Sequence, residues 1–585
     1  YVTGYKTNLR TTITANFKLA QELDMITKGL KFTGLFSFKN YSSSSTERSA
    51  SYNHYYMSSY DPSSMEYKIT RIGDEQSTAL TNDGSRNGDR KMYFQAILDY
   101  NRIFKEVHDL NIMFLYNQEQ YDINGPTTLF SSLPQRKQGV AGRVSYSYDG
   151  RYYIEGNFGY NGSENFAKGH RFGFFPSIAV GYNISNEKFW QPIKPVISNL
   201  KIRGSWGLVG NDATNAGRFA YMEDLVLGGS DSYTTGIRQD TYYSGPSWNR
   251  YFNPDLTWEV GEKINLGLDL QLFNDFNLTF DIFREKRRDI FMTRENSIPE
   301  IVGTGETKIT SNNGEMENKG LDLAIDYNKQ ITKDFFLSFK STLTFARNKV
   351  LKMDEPPYFE YPGLSDVGHP LGTYWGYVAD GLFPDQETID NSPRQDLGYT
   401  PQPGDIKYVN QPNAKGEYDN VINSNDRVAI GHPYDPELVY GFGPSMKWKN
   451  WDFSFFFQGV ARTSFMMYGM HPFGTTSIKN MLQFVADDHW SVDNPNPNAA
   501  YPRLTKDSNG NNDQYSTYWL RNAAFLKLKN AEIGYTYKGM RFYLSGVNLL
   551  TFSPFKHWDP EMGGGNGLYY PTQRVFNIGF QMTIQ

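Results

Sequence analysis

Cysteine is absent from all 585 residues. Disulfides, thiolate metal sites and cysteine nucleophiles are thereby excluded, and a thiol-free chain of this length suits the periplasm or outer membrane, where a stray thiol is a liability. A basic excess is missing too. The chain has 58 Lys+Arg against 63 Asp+Glu, a formal net charge of −5, which argues against nucleic acid as a partner. No apolar run approaches the roughly 20 residues that a spanning helix needs. No leader opens the chain, because Tyr1–Arg10 already reads as strand, and this fits a mature fragment. Helical periodicity is lacking throughout, as are HExxH, P-loop, G-x-S-x-G and dinucleotide glycine motifs. No nucleophile, base and orienting group come together, so the reading is not an enzyme, with no catalytic residues and no cofactor.

What is present is aromatic residues and alternation. Phe, Trp and Tyr make up 16 % of the chain, with 42 Tyr and 41 Phe, yet the mean hydropathy is −0.59. Polar on average but rich in rings describes a barrel whose lipid and lumen faces alternate along each strand. Period-2 alternation recurs from end to end. Leu30, Phe32, Phe36 and Phe38 oppose Lys31, Thr33, Ser37 and Lys39; Val140, Val144, Tyr146 and Tyr148 oppose Arg143, Ser145, Ser147 and Asp149. Ile264, Leu266, Leu268, Leu270 and Leu272 oppose Asn265, Asp269 and Gln271; Phe576, Ile578, Phe580, Met582 and Ile584 oppose Asn577, Gln581 and Thr583. About 17 such segments are expected, most near the ~10 residues of a tilted membrane strand.

The connections alternate short and long. Short turns fall around Lys28-Gly29, Lys105-Glu106, Asp149-Gly150, Asn274-Asp275, Thr332-Lys333, Asn450 and Lys538-Gly539. Long ones run Tyr41–Arg90, Gln118–Arg136, Val209–Pro254, Arg287–Asn318, Asn348–Pro436, Arg462–Trp519 and Leu550–Gln573, and parity assigns the intermediate Asn183–Asn199 to the short set. One trimmed rim and one elaborate rim is the outer-membrane barrel plan; a propeller would repeat every 40–50 residues or so. By the same parity the first strand, near Leu9–Leu19, and the last both run toward the periplasm. An odd number of strands is therefore expected to precede this chain, cut away or carried on another chain, with the break in an outer loop.

Several stretches resemble one family. Asn253-Pro254-Asp255-Leu256-Thr257-Trp258-Glu259 with Ile264–Asp269, Arg288-Asp289-Ile290, and Asn313-Gly314-Glu315-Met316-Glu317-Asn318-Lys319-Gly320-Leu321 are similar to motifs of SusC/RagA outer-membrane transporters. So are Leu371–Tyr377 with Gly381-Leu382-Phe383, Pro403-Gly404-Asp405-Ile406-Lys407-Tyr408 with Asp426-Arg427 and Ile430-Gly431, Arg521–Leu528, and Asn548-Leu549-Leu550. Their order holds from about residue 90 to the end. The resemblance implies an all-β, 22-stranded transmembrane barrel, of which residues 1–585 are the C-terminal portion without the plug and the first strands. It implies TonB-dependent import of a large nutrient, oligosaccharide or oligopeptide, across the Gram-negative outer membrane. The implied partners are a SusD-like surface lipoprotein lid, TonB acting through the absent plug, and outer-membrane lipid, with two transporter–lid pairs joined as a dimer.

Two departures stand out. The compact acidic run that the family often carries after "DIKY" is here Asn410–Asn420, so no calcium or other metal site is assigned, and Asp419, Asn423, Asn425 and Asp426 read as Asx turns, with an ion gathered among them as the alternative. The C-terminus, Thr583-Ile584-Gln585, lacks the usual aromatic. His369, His432, His471, His489 and His557 are scattered, and Asp487-Asp488-His489-Trp490 reads as a hydrogen-bonded loop. Loop aromatics beside Asn, Asp and Arg offer stacking faces for sugars or peptides; Tyr243, Trp248, Tyr251, Trp375 and Trp490 are the substrate-binding candidates, against the plainer reading that they tie loops together. Two other classes stay open: a passive porin, and a soluble all-β carbohydrate-binding or adhesin domain.

Overall fold

The structure, a computed structural model, describes residues 4–76, 79–126, 128–214, 217–228, 232–294, 296–302, 309–468, 482–505 and 508–583. His471 and Ile584 of the sequence reading lie outside these. Seventeen strands form one antiparallel meander: β1 (Gly4–Glu22), β2 (Leu30–Ser49), β3 (Thr81–Phe104), β4 (His108–Asn124), β5 (Gln135–Tyr148), β6 (Tyr152–Ser163), β7 (Phe172–Asn183), β8 (Ile197–Asn211), β9 (Glu259–Leu272), β10 (Phe276–Arg294), β11 (Ile309–Thr332), β12 (Phe335–Lys352), β13 (Leu438–Trp448), β14 (Trp451–Ala461), β15 (Phe525–Tyr537), β16 (Met540–Phe552) and β17 (Val575–Met582). Each strand pairs with its neighbours in sequence, as the alternation predicts. The three α-helices among the described residues are four or five residues long.

Register carries the face assignment from strand to strand. Phe36 pairs with Phe94, Leu98 with Phe114, Ile112 with Val144, Ile178 with Trp206, Trp206 with Ile264, and Leu266 with Ile282. Because side chains alternate with period 2, these pairs lie on one continuous apolar face. Its rings and aliphatics are exposed in the isolated chain, Leu266 at 51 % and Phe114 at 49 %. The opposite face is polar and cross-linked: Arg203 reaches Asp269 and Asp281, and Arg541 reaches Asp452 and Glu532. At the short-turn end Tyr148, Tyr152 and Tyr182 are direct cross-strand partners on the apolar face, and Trp448 pairs with Trp451, an aromatic girdle.

The turns at that rim are tight where the chain supplies left-handed residues. Lys538 (φ 46°) and Gly539 (φ 81°) alone join β15 to β16, the doubly positive turn that matches strand twist. The wall rises further than the sequence suggests at the other rim. Residues Tyr41–Ser49 and Thr81–Asp89, which alternation assigns to a loop, are paired strand. These polar stretches show no greasy face because they stand above the bilayer, where none is needed. Strands β10 and β11 likewise continue to Arg294 and from Ile309. The eight-residue connection between β6 and β7, unmarked in the sequence, completes the long set.

The main buried core lies outside the wall. Tyr377, Ile406, Tyr408, Phe465, Trp519 and Phe555 pack with ten other buried residues, all from the connections after β12, β14 and β16 or their flanks. A barrel whose apolar face meets lipid has little interior to fill; the loops have to build their own. A smaller cluster, Phe166, Ala220, Leu256 and Trp258, staples the connection after β8 to the rim. Here Trp258 Nε1 donates to the Arg171 carbonyl at 3.2 Å and Asn253 Nδ2 to the Thr310 carbonyl at 2.6 Å.

Candidate functional site

The outer-rim body is organised around Asp405, which is fully buried. Its Oδ1 accepts from Arg503 Nε (2.7 Å), Asn509 Nδ2 (3.0 Å) and Asn512 Nδ2 (2.9 Å), while Oδ2 accepts from the Gln402 amide (2.8 Å). A buried carboxylate is tolerable only when cation and donors surround it in this way. The residues around it in sequence share the task. Gly404 has φ +89°, and a Cβ there would sit 2.2 Å from the Trp490 ring, so only glycine lets the indole lie on the backbone. Tyr408 donates its hydroxyl to the Asn511 carbonyl at 2.7 Å, and burial pushes its phenol far above the ordinary value.

Beside this hub opens a cavity of about 180 Å³. Tyr468, Tyr501, Tyr515 and Trp519 provide its rings; Arg503, Asn509 and Asn512 bring the polar edge of the Asp405 network to it. Trp519 is fixed by donating Nε1 to the Asn512 carbonyl at 2.7 Å. Rings held rigidly next to donors and a cation suit a ligand with flat apolar faces and hydroxyl, amide or carboxylate groups. Trp519 closes a long connection in the sequence, but nothing there singles out Tyr468, Tyr501 or Tyr515, which meet only through the fold.

The five sequence candidates do not converge on one cavity. Tyr243 sits in a hairpin after β8, stacked on Tyr233 with centroids 5.3 Å apart. Trp248 stacks on Tyr251 at 5.4 Å and 20°, with Trp248 37 % exposed. Those three share one long connection. Trp375 is tied elsewhere: its Nε1 donates to Asp366 at 2.7 Å and its ring meets His369 edge-on at 5.1 Å. Trp490 is 7 % exposed and packed in the body's core.

Much of the Asx-rich segment is satisfied from within, although the buried Asn410 side-chain amide has no hydrogen-bond partner among the described residues. Asp426 accepts the Gln411 and Asn423 amides at 2.7 and 2.8 Å, Asn423 caps the Asn425 amide at 2.8 Å, and Asp419 accepts the Val421 amide at 3.0 Å. A second buried charge cluster pins the last long loop. Lys527, wholly buried, lies 2.5 Å from Asp559 and also binds Glu561, which Lys529 holds at 2.6 Å. Burial pushes both carboxyls up, but the ammonium groups and, for Asp559, the Thr572 hydroxyl outweigh it and bring them below the ordinary values of 3.8 and 4.5.

Comparison with known proteins agrees with this architecture. The family model described as TonB dependent receptor-like, beta-barrel, matches residues 2–549. The chain is 29 % identical to TonB-dependent receptor SusC of Bacteroides thetaiotaomicron over 468 residues, 75 % of this chain and 43 % of that protein. It is 27 % identical to TonB-dependent receptor P3 of Formosa agariphila over 478 residues, 76 % of this chain and 45 % of the relative. It thus spans about half the length of the curated relatives it matches or less. In fold it is similar to the RagAB peptide transporter, with TM-score 0.73 at 20 % identity, covering 99 % of this chain and 62 % of that one, and to the "open-open" RagAB peptide importer at TM-score 0.75. With one face greasy, the other polar, one rim trimmed and the other built up, this chain belongs to the β-barrel family of TonB-dependent receptors, in its SusC/RagA branch, and to the outer membrane of a Gram-negative bacterium.

Proposed function

We propose that the chain forms most of the wall and the outer body of an importer that carries a large nutrient, an oligosaccharide or oligopeptide, across the outer membrane. The observation that carries this reading is the aromatic cavity beside Asp405, built by loops at the outer rim of a barrel whose inner face is polar. Substrate is captured by the outer body and released along that face. A barrel this wide would leak if it were open, so the reading includes a plug supplied outside residues 1–585, moved by TonB. It also includes further wall strands beside β1 and β17, which are exposed along nearly their whole length. A SusD-like lipoprotein closes the top, and the exposed hairpins of the outer rim, His54–Asp61 with Glu66–Ile72 and Ser232–Thr235 with Thr241–Ser244, are its proposed contacts. The Trp248–Tyr251 stack and Tyr243 lie on the same outer rim, and we assign them, with the cavity, to substrate contact. Trp375 and Trp490 act through packing.

Uptake by cells carrying the intact transporter tests this. Import of a labelled oligosaccharide or oligopeptide should vanish when TonB is deleted and fall at least tenfold in a Tyr501→Ala/Tyr515→Ala variant that still reaches the membrane. Uptake that persists without TonB would identify a passive porin instead.

A further inference from the structure

The lipid-facing surface of β10–β12 holds three successive cross-strand rows of different character. The lowest is apolar: Ile282, Leu321 and Phe345. The next is wholly cationic: Arg284 opposite Lys319, and Lys319 opposite Arg347. The third sets Lys286 and Lys349 on either side of Glu317. Like charges placed directly opposite one another destabilise a sheet, and the carboxylates nearby are too few to cancel them. Glu317 is shared by Arg284 at 2.6 Å and Lys319 at 2.7 Å; Glu437 is shared by Arg347 at 3.1 Å and Arg462 at 2.6 Å; Glu315 holds Lys286 at 3.0 Å. Lys349 has no ion pair among the described residues. Six cations thus meet three carboxylates, an excess of three positive charges. A cavity of about 580 Å³ opens here, lined by the apolar row, by Lys319, Arg347 and Lys349 with the Glu317 carboxylate among them, and by Gly368 and Pro370 of the loop above.

We propose that this cavity binds the phosphorylated headgroup of an outer-leaflet glycolipid. The position selects the ligand. The site sits where the apolar face ends and the long-loop side begins, so an acyl chain lies along Ile282, Leu321 and Phe345 while a phosphate meets the cationic row. An anion placed there neutralises charges that otherwise repel, and phosphate accepts from several Lys and Arg donors at once. A soluble anion would use the cations but leave the apolar floor exposed. The inference rests on the membrane placement of the barrel and not on what it imports.

The test is native mass spectrometry of the purified full-length protein in detergent, with a phosphorylated lipid A, the same lipid dephosphorylated, or inorganic phosphate. Wild type should retain the phosphorylated lipid and lose the dephosphorylated one. Lys319→Gln/Arg347→Gln/Lys349→Gln should bind it roughly 100-fold more weakly, whereas Lys201→Gln/Lys263→Gln/Lys340→Gln, on the polar face, should bind as wild type. If the triple variant fails to fold by heat-modifiability on gels, Lys349→Gln alone, which breaks no ion pair, should still bind about fivefold more weakly. Binding that is unchanged in the variants, that is equal for the dephosphorylated lipid, or that is abolished by equimolar inorganic phosphate would overturn the proposal. Uptake measured on the same variants stays separate: unaltered import with lost lipid leaves the import reading intact.

Discussion

Single residues decide how the outer body holds together. Lys527 is buried with two carboxylates, and removing one partner of such a cluster leaves charge stranded away from water. Lys527→Met should destabilise the docked state of the last long loop by about 3–5 kcal/mol, read as faster amide exchange over residues 553–574 while the strands stay protected. The same cluster sets a pH limit. Asp559 and Glu561 have folded values below the ordinary 3.8 and 4.5, so their contribution is complete above those ordinary values and is lost as the pH falls through and below them. Loop protection should therefore be flat from about pH 8 to 5 and fall below about pH 4.5, and an acid-insensitive loop would contradict the pairing. Gly404 is the other pivot: Gly404→Ala, at φ +89° and against the Trp490 ring, should cost about 1–3 kcal/mol, seen as increased tryptophan accessibility to iodide.

Strands answer to a different rule, because what surrounds each face decides what a substitution does. On β9, Leu266 and Asn265 are adjacent in sequence and opposite in face. Leu266→Arg places a charge in the lipid near mid-strand and should reduce barrel stability by about 2–4 kcal/mol, measured by urea unfolding in vesicles. Asn265→Arg, on the wet side, should change it little. Strand existence was legible from this alternation alone. Strand length was not: Tyr41–Ser49 and Thr81–Asp89 pair as strand without a greasy face, since the periodic signal comes from lipid contact and stops where the lipid stops. Loop function was less legible still. Motifs such as Asn253–Glu259 and Pro403–Tyr408 stood out in the sequence, and the structure shows them as staples of the body, with Leu256 and Trp258 in one buried cluster and Ile406 and Tyr408 in the other.

At the scale of the molecule, the tryptophans divide by environment. Trp206, Trp448 and Trp451 stand on the apolar face, half-exposed in the isolated chain, whereas Trp490 and Trp519 are buried in the outer body. Brominated acyl chains should quench the first group and spare the second, measured by fluorescence of single-tryptophan variants in vesicles; equal quenching of both would mean the loops, too, enter the bilayer.

Alternation and the parity of the connections pointed, from the sequence alone, to about 17 strands of an outer-membrane barrel wall with one plain and one elaborate rim, and the motifs named its family. Alternation could do so because a strand between oil and water must write its two environments into every second residue. Which loop aromatics meet around Asp405, which ones merely staple, and which cations crowd one patch of the lipid face were decided by the tertiary structure. Those arrangements join residues from distant connections or from separate strands in register, and spacing along the chain carries no record of either.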